Sequence, residues 1–210
     1  MALTIELPGL VDLQVNGFGG IDFNGPDLTA DRVEDALRRI RLTGVTCCLP
    51  TLITSSFDDF AARARVLSRV PFPAIAGIHM EGPYLSPEDG PRGAHPRAQV
   101  RAASIDDFKR RQEAANGRIR LLTLAPEVDG ALGLIEYLVT SGVRVALGHT
   151  AATPEQVARA VAAGATLATH LGNGCAHLLP RHPNTIWELL AADAVAASFI
   201  VDGHTSRRPP

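Results

Sequence analysis

Short apolar runs alternate with amphipathic stretches along the chain, and a glycine closes most of the amphipathic stretches. Apolar runs of this length are typical of buried β-strands, whereas the longer stretches repeat apolar residues at helical spacing. Between positions 28 and 43, for example, Val33, Leu37 and Ile40 share one helical face, and Gly44 follows as a C-terminal cap would. The pattern predicts seven strands, at positions 10–15, 45–49, 74–80, 119–124, 143–147, 165–169 and 195–201.

A helix is predicted between each pair of successive strands. The signals for a helix start are clearest at Ser104, which has Asp107 three residues later, and at Thr153, which precedes Pro154. Strict alternation of strands and helices indicates a parallel sheet. The predicted helices cover positions 28–43, 57–70, 104–117, 132–141, 153–164 and 186–192.

Two α/β architectures fit this alternation. A (β/α) barrel needs eight units and ~250 residues, whereas this sequence supplies seven predicted strands within 210 residues. An open doubly wound sheet is the alternative. The barrel is favoured because candidate site residues follow several different strand ends instead of lining one crevice. We therefore predict an incomplete TIM-like (β/α) barrel with seven of eight strands and a parallel sheet, forming one domain over residues 1–210.

Composition narrows the class of protein. A formal net charge of −2 offers no electrostatic footprint for nucleic acid or for an anionic membrane. No apolar run approaches the ~20 residues of a membrane span, and positions 1–10 hold no Lys or Arg for a signal peptide. Cys47, Cys48 and Cys175 form no Cys-x-x-Cys pair, which is typical of reduced structural thiols. These features predict a cytoplasmic protein that binds neither nucleic acid nor membrane.

Side chains of the types that bind metal ions follow three of the predicted strands. Glu81 follows the third strand, His149 the fifth and His170 the sixth. The carboxyl ends of parallel strands meet at one edge of a sheet, so we expect these side chains to lie together. Two imidazoles, a carboxylate and one open position form a ligand set of catalytic zinc. Iron and other divalent ions accept the same ligands, and the alternative is two structural histidines with a solvated loop glutamate.

Polar residues also alternate along the first strand, where Asp12, Gln14 and Asn16 share one face. They are interpreted as a wall of the site, although Asn16 with the following Gly17 also suits a simple turn. Glutamine and asparagine are weak metal ligands compared with histidine. The first strand therefore predicts no second metal site.

Two loops contain further candidates. The long loop after the third strand holds His95, which could polarise a substrate carbonyl, or could simply lie in solvent. The loop after the sixth strand is rich in donors, among them Asn173, Gly174 and Arg181. Backbone amides of a Gly-Asn-Gly stretch can cradle an anion, so this loop is a candidate phosphate site.

Six segments carry a further signal, and they lie at positions 8–17, 79–83, 124–127, 148–150, 169–173 and 202–204. Taken in order, they resemble the N-acetylglucosamine-6-phosphate deacetylases of the amidohydrolase superfamily, which are enzymes of amino sugar metabolism. The resemblance implies a metal-dependent hydrolase that converts N-acetylglucosamine 6-phosphate to glucosamine 6-phosphate and acetate. It implies one divalent ion, zinc or else iron or another metal, and a small amino-sugar phosphate as the partner molecule.

The resemblance also assigns roles to individual residues. It places the ion on Glu81, His149 and His170, while His95 polarises the acetamide carbonyl and also binds substrate. The remaining substrate-binding residues that it implies lie near the sugar phosphate or just after the seventh strand. They are Asn173, Gly174, Arg181 and His204.

The sequence departs from the family at its C-terminal end. The family's general acid/base is an aspartate after an eighth strand, and this position is not found before Pro210, nor is the flanking β-sandwich. His204 stands about one position away from its expected place, and the residues after it no longer match the family. A truncation or frameshift is therefore expected, with activity lower by ~10²–10⁴-fold, the usual contribution of general acid–base catalysis.

Two rival functions stay open at this point. One is a catalytically inactive fragment that binds metal or sugar phosphate, whose open sheet edges invite pairing with a second copy as a homodimer. The other is an amidohydrolase acting on a different N-acyl or cyclic amide.

Overall fold

The computed structural model describes residues 8–201, and seven of its strands form one parallel sheet. Their bounds are Leu10–Val15 (β1), Val45–Ile53 (β4), Ile78–Glu81 (β5), Ile119–Leu124 (β6), Arg144–Leu147 (β7), Leu167–Ala168 (β8) and Ala196–Ala197 (β9). The sheet has the order β1-β4-β5-β6-β7-β8-β9. Each strand therefore pairs with the strand of this sheet that comes next along the chain. Gly17–Phe18 (β2) and Ile21–Asp22 (β3) form a small separate antiparallel hairpin.

A helix lies between each pair of successive strands of this sheet, at the places that the apolar spacing predicts. Side chains of Thr29, Ser56, Ser104, Thr153 and Asn184 cap their N-termini by accepting backbone hydrogen bonds. The capping signals at Ser104 and Thr153 are therefore confirmed. The helices are Ala30–Arg41 (α1), Phe57–Arg69 (α2), Ile105–Ala114 (α3), Ala131–Thr140 (α4), Pro154–Ala162 (α5) and Thr185–Ala191 (α6), with a short 3-10 helix at Arg97–Gln99.

The sheet is curled, as a barrel requires. In a flat sheet, β5 and β8 would lie about 14 Å apart, since neighbouring strands are spaced by ~4.8 Å. Yet Nε2 of His170, just after β8, lies 2.9 Å from Oε1 of Glu81 on β5. Gln14 on β1 reaches the same carboxylate oxygen from the other side of the sheet, at 2.8 Å. The predicted seven-stranded, TIM-like (β/α) sheet is confirmed, and the open doubly wound alternative is excluded for the described residues.

Two apolar clusters support this curl. The larger one packs helices against the sheet and includes Phe60, Leu122 and Leu134. The smaller cluster contains Leu49, Leu121 and Ala146, packed with Leu13 and Leu167 from β1 and β8. In the strand register, residue 121 is level with 79 and residue 123 with 81. The smaller cluster therefore fills the inside of the curl beneath a polar layer at the strand ends.

The observed strands differ from the prediction by more than one residue at four places. The strand predicted at 45–49 continues to Ile53. The next strand begins at Ile78 instead of 74, and before it Ile75 makes only an isolated bridge to Cys48. The last strand, predicted at 195–201, has only two paired residues. Its neighbour β8 is equally short, since the chain after Ala168 turns sharply at His170. Within residues 8–201, no helix combines the length and apolar character needed to cross a membrane.

Candidate metal centre

Four buried titratable side chains meet at the carboxyl edge of the sheet. Glu81 is the last residue of β5, His149 follows β7, and His170 follows β8. The fourth, His95, comes from the long loop between β5 and α3. Each of the four is at most 7% exposed. Burying a carboxylate with three imidazoles is costly unless their charges and hydrogen bonds are compensated, so the cluster calls for a chemical explanation.

The distances within this cluster are those of ligands around one ion. His149 Nε2 lies 3.2 Å from Oε1 of Glu81, and His170 Nε2 lies 2.9 Å from the same oxygen. His95 Nε2 lies 3.2 Å from His149 Nε2 and 3.8 Å from Oε2 of Glu81. Neighbouring ligands of a tetrahedral zinc ion are about 3.3 Å apart, given zinc–nitrogen bonds of ~2.0–2.1 Å. The spacing of these side chains therefore suits a small divalent cation.

Hydrogen bonding on the far side of His149 indicates which of its nitrogens faces the carboxylate with a lone pair. His149 Nδ1 lies 2.9 Å from the carbonyl oxygen of Pro91, which can only accept, so Nδ1 carries the proton. In the neutral imidazole, Nε2 then presents a lone pair to Glu81. Attraction between the two requires either a second proton on the ring or a cation between them. This tautomer is the one that a metal-ligating histidine adopts.

Several side chains hold the carboxylate of Glu81 in place. Gln14 donates its amide to Oε1, and both His149 and His170 approach the same oxygen. Burial alone would raise the pKa of Glu81, but the two imidazoles beside the carboxylate outweigh this effect and hold the pKa well below its ordinary value. Glu81 is therefore ionised at neutral pH and available as an anionic ligand.

The neighbouring histidines are held in their neutral form. Burial lowers the pKa of His95 to about 4, and His149 beside it acts in the same direction. Burial likewise lowers the pKa of His79 to about 4. His79 lies inside the curl, where Nδ1 is 3.0 Å from the Leu13 carbonyl and Nε2 is 2.7 Å from the Thr123 hydroxyl. Its ring therefore links strands β1, β5 and β6 beneath the cluster.

No family model matches the sequence. The chain is 35% identical to the N-acetylglucosamine-6-phosphate deacetylase of Bos taurus over 96% of its own length and 52% of the relative's. It is 36% identical to the N-acetylgalactosamine-6-phosphate deacetylase of a Shewanella strain, over 93% and 49% of the two chains. The chain spans about half the length of the curated relatives it matches.

Solved structures give the same result. A mutant N-acetyl-D-glucosamine-6-phosphate deacetylase from Mycobacterium smegmatis, in complex with N-acetyl-D-glucosamine-6-phosphate, superposes with a TM-score of 0.86 at 37% identity. The match covers 95% of this chain and 51% of that one. The Pasteurella multocida enzyme gives a TM-score of 0.83 at 31% identity, with 95% and 52% covered. Over nearly its whole length, this chain is similar to N-acetylglucosamine-6-phosphate deacetylases, of which it spans about half. The resemblance expected from the sequence is confirmed.

The structure brings together the predicted ligands Glu81, His149 and His170, and it adds His95. The group whose ligand atoms all lie within 4.8 Å of one another is Glu81, His95 and His149. Nδ1 of His170 is buried without a hydrogen-bond partner among the described residues, while its Nε2 faces Glu81. The division of the three histidines into metal ligands and a substrate-facing group therefore stays a prediction.

The other predicted site residues lie further out from the cluster. Gly174 packs against the His149 ring so closely that a Cβ would stand 2.8 Å from Nδ1. Asn173 and Arg181 are exposed, and within residues 8–201 no hydrogen bond joins either side chain to the cluster. His204 lies outside the described residues. A phosphate role for these residues stays a prediction.

Sequence reasoning misses several groups that support the centre. The alternation along β1 indicates only a wall position for Gln14, although this side chain hydrogen-bonds Glu81 directly. Thr54 lies 2.8 Å from Nδ1 of His95 and fixes that ring. The Pro91 carbonyl is a backbone group, which leaves no signature in the sequence. Glu127 stands out only as part of a segment that carries the family resemblance, yet it holds the loop that follows His149.

Proposed function

We propose that this chain is a metal-dependent deacetylase that hydrolyses the acetamide of N-acetylglucosamine 6-phosphate to glucosamine 6-phosphate and acetate. The single observation that carries the proposal is the convergence of Glu81, His95, His149 and His170 in one buried cluster. The names of the relatives at 31–36% identity support the reaction and the substrate class.

Glu81, His149 and His170 are the proposed ligands of one divalent ion, and zinc is the ion we expect. A bound ion of this kind lowers the pKa of a water molecule and polarises a carbonyl. The chain's own residues prepare the ligands: Gln14 fixes the carboxylate, and the Pro91 carbonyl fixes the His149 tautomer. Glu81 and His149 are therefore held in their binding forms before an ion arrives.

His95 is the proposed donor to the substrate carbonyl. If Nδ1 accepts the hydroxyl proton of Thr54, 2.8 Å away, Nε2 carries the ring proton and points into the cluster. Because the pKa of His95 lies near 4, the ring is neutral and can donate this hydrogen bond without adding charge. Asn173, Gly174 and Arg181 remain the proposed phosphate-binding residues.

A second substrate has a specific observation in its favour. Relatives named N-acetylgalactosamine-6-phosphate deacetylase match at 34–36% identity, as well as those named for the gluco epimer. Both sugar phosphates are therefore tested.

We further propose that residues 1–210 form one domain and that the protein is cytoplasmic, a location that the three free cysteines support. We also propose a homodimer, which sedimentation would check.

The test measures zinc binding and acetate release separately. We expect the 210-residue chain to bind one Zn²⁺ by calorimetry and to release acetate from one of the two sugar phosphates. His149→Ala should abolish both, whereas His177→Ala, which removes an exposed histidine outside the cluster, should leave both unchanged. A folded chain that binds Zn²⁺ without releasing acetate would support the inactive-fragment alternative. A folded chain that does not bind Zn²⁺ would refute the metal centre.

A further inference from the structure

The carboxylate of Glu127, three residues after β6, bridges to the loop that follows β7. Its Oε2 accepts a hydrogen bond from the Thr150 hydroxyl at 2.5 Å, and its Oε1 accepts one from the Ala151 backbone amide at 2.7 Å. Both carboxylate oxygens are used on two consecutive residues. A carboxylate that accepts two hydrogen bonds in this way forms a stronger and better oriented link than a neutral acceptor.

The residue before this pair is His149, and its backbone is unusual. His149 has a φ of 51°, in the left-handed region that residues with a Cβ rarely adopt. Such a conformation persists only where the surrounding contacts enforce it. The chain turns here from the end of β7 toward α5, and the turn directs the imidazole into the cluster.

Other contacts around this turn bind the backbone on its remaining sides. The Ser86 amide donates to the His149 carbonyl at 3.0 Å, and the Thr150 amide donates to the Gly174 carbonyl at 3.3 Å. The Thr150 side chain is only 5% exposed, and its hydroxyl also accepts the Ala152 amide at 2.9 Å. Glu127 supplies the one ionic group in this set, and both of its hydrogen bonds are shorter than these three.

His170 offers a comparison within the same site. It too has a positive φ, of 31°, directly after a strand. There the Ser198 hydroxyl accepts the His170 amide at 2.9 Å, and the Asn173 amide donates to the His170 carbonyl at 2.9 Å; both hydrogen bonds are between neutral groups. The two histidines therefore share a strained backbone, but only the turn at His149 is held by a carboxylate from another β/α unit.

We propose that Glu127 is a positioning residue for the metal centre, which holds the turn after β7 so that His149 Nε2 faces Glu81. It touches neither the cluster nor any expected substrate atom, and it acts through Thr150 and Ala151. The inference rests on the proposed function as far as the metal is concerned. Its structural part, the hold on the His149 turn, also exists in the metal-free protein.

The test uses the full chain in Glu127→Gln and Thr150→Val, with two controls. Glu127→Gln keeps a carbonyl oxygen, which can accept one of the two hydrogen bonds from Thr150 and Ala151. Its amide group is itself a donor and cannot accept the other hydrogen bond. Thr150→Val removes the hydroxyl, and Thr150→Ser keeps it as the first control. Glu155→Gln removes an equal charge at an exposed position beside the same turn, as the second control. Circular dichroism and thermal melting confirm that each variant is folded.

Two readouts distinguish this inference from the proposed function. Without metal, nitrogen NMR should show the Nδ1–H tautomer of His149 in the wild type and in both controls, and a mixture in Glu127→Gln and Thr150→Val. With metal, the Kd for Zn²⁺ should rise about 10–100-fold in these two variants, the usual effect of losing a group that orients a ligand. The controls should bind as the wild type does.

An unchanged tautomer together with an unchanged Kd in folded Glu127→Gln would overturn the positioning role. If the wild type does not bind Zn²⁺, the proposed function fails, and the tautomer measurement alone decides whether Glu127 positions His149. If Glu155→Gln weakens Zn²⁺ binding as much as Glu127→Gln does, the effect is one of overall charge, which also overturns the inference.

Discussion

The Arg111 guanidinium on α3 is the most deeply buried positive charge among the described residues, and its partner Asp107 is the best place to test how the fold is held. The Arg111 side chain is 1% exposed, and its Nε donates to Oδ2 of Asp107 at 2.9 Å. The Tyr84 hydroxyl donates to the same oxygen at 2.8 Å. Tyr84 opens the long loop that carries His95, so this cluster ties that loop to α3.

Asp107→Asn removes the charge while keeping the shape. Removing one partner of a buried pair costs about 3–5 kcal/mol, because the other charge is left uncompensated. Asp107 is 15% exposed and therefore partly screened, which places the expected loss at the lower end, about 3 kcal/mol. Nη2 of Arg111 is buried and makes no hydrogen bond within the described part of the chain, so no other acceptor there replaces the carboxylate. The melting temperature should fall by about 6–12 °C, at ~2–4 °C per kcal/mol for a chain of this size.

Urea unfolding followed by circular dichroism measures the loss, provided that the slope m is the same for both proteins. The double variant Asp107→Asn with Arg111→Met removes the stranded charge and should recover most of the stability. A loss below about 1 kcal/mol for Asp107→Asn, well under the range for a buried pair, would refute the reasoning. So would a double variant that is no more stable than Asp107→Asn alone.

Two further predictions concern acid and a single methyl group. Burial would raise the pKa of Asp107, but Arg111 holds this pKa below its ordinary value. The ionised carboxylate therefore stabilises the fold fully above the pKa of the unfolded state, and this stabilisation is lost as the pH falls through the pKa of the folded state. Unfolding free energies measured between pH 7 and pH 3 should therefore converge for wild type and Asp107→Asn at the acid end, and parallel curves would contradict this. Gly82→Ala should lower stability by more than the ~1–2 kcal/mol of left-handed strain, because φ is +76° and the new Cβ would stand 2.2 Å from the Thr54 hydroxyl. Thermal melting checks it, with Gly133→Ala, which meets no neighbour within 4 Å, as the matched control.

The sequence is a good guide wherever a pattern repeats along the chain. The spacing of apolar residues locates the seven strands, and the strand-end positions of Glu81, His149 and His170 predict that they meet. These inferences succeed because the parallel β/α repeat itself brings successive strand ends to one edge. No precise distance is needed to reach them.

The rest depends on contacts that no local pattern encodes. The Pro91 carbonyl that sets the His149 tautomer could be any backbone group on the path of a long loop. The left-handed backbone of His149 cannot be predicted from the sequence, because a positive φ is uncommon even for histidine, which adopts it more often than most residues with a Cβ. Glu127 reaches across from a neighbouring β/α unit, 24 positions from the amide it binds. The exposed placement of Arg181 likewise follows from its loop and not from its residue type.

The convergence of separate strand ends on Glu81 has a consequence for the order of events during synthesis. Gln14 lies 67 positions before Glu81, while His149 and His170 lie 68 and 89 positions after it. At ~5–20 residues per second, His170 leaves the ribosome about 4–18 s after Glu81 does. Until then the carboxylate has no complete set of imidazoles around it. The proposed metal site is therefore completed late in synthesis, and an ion bound there would not nucleate the folding of the first strands.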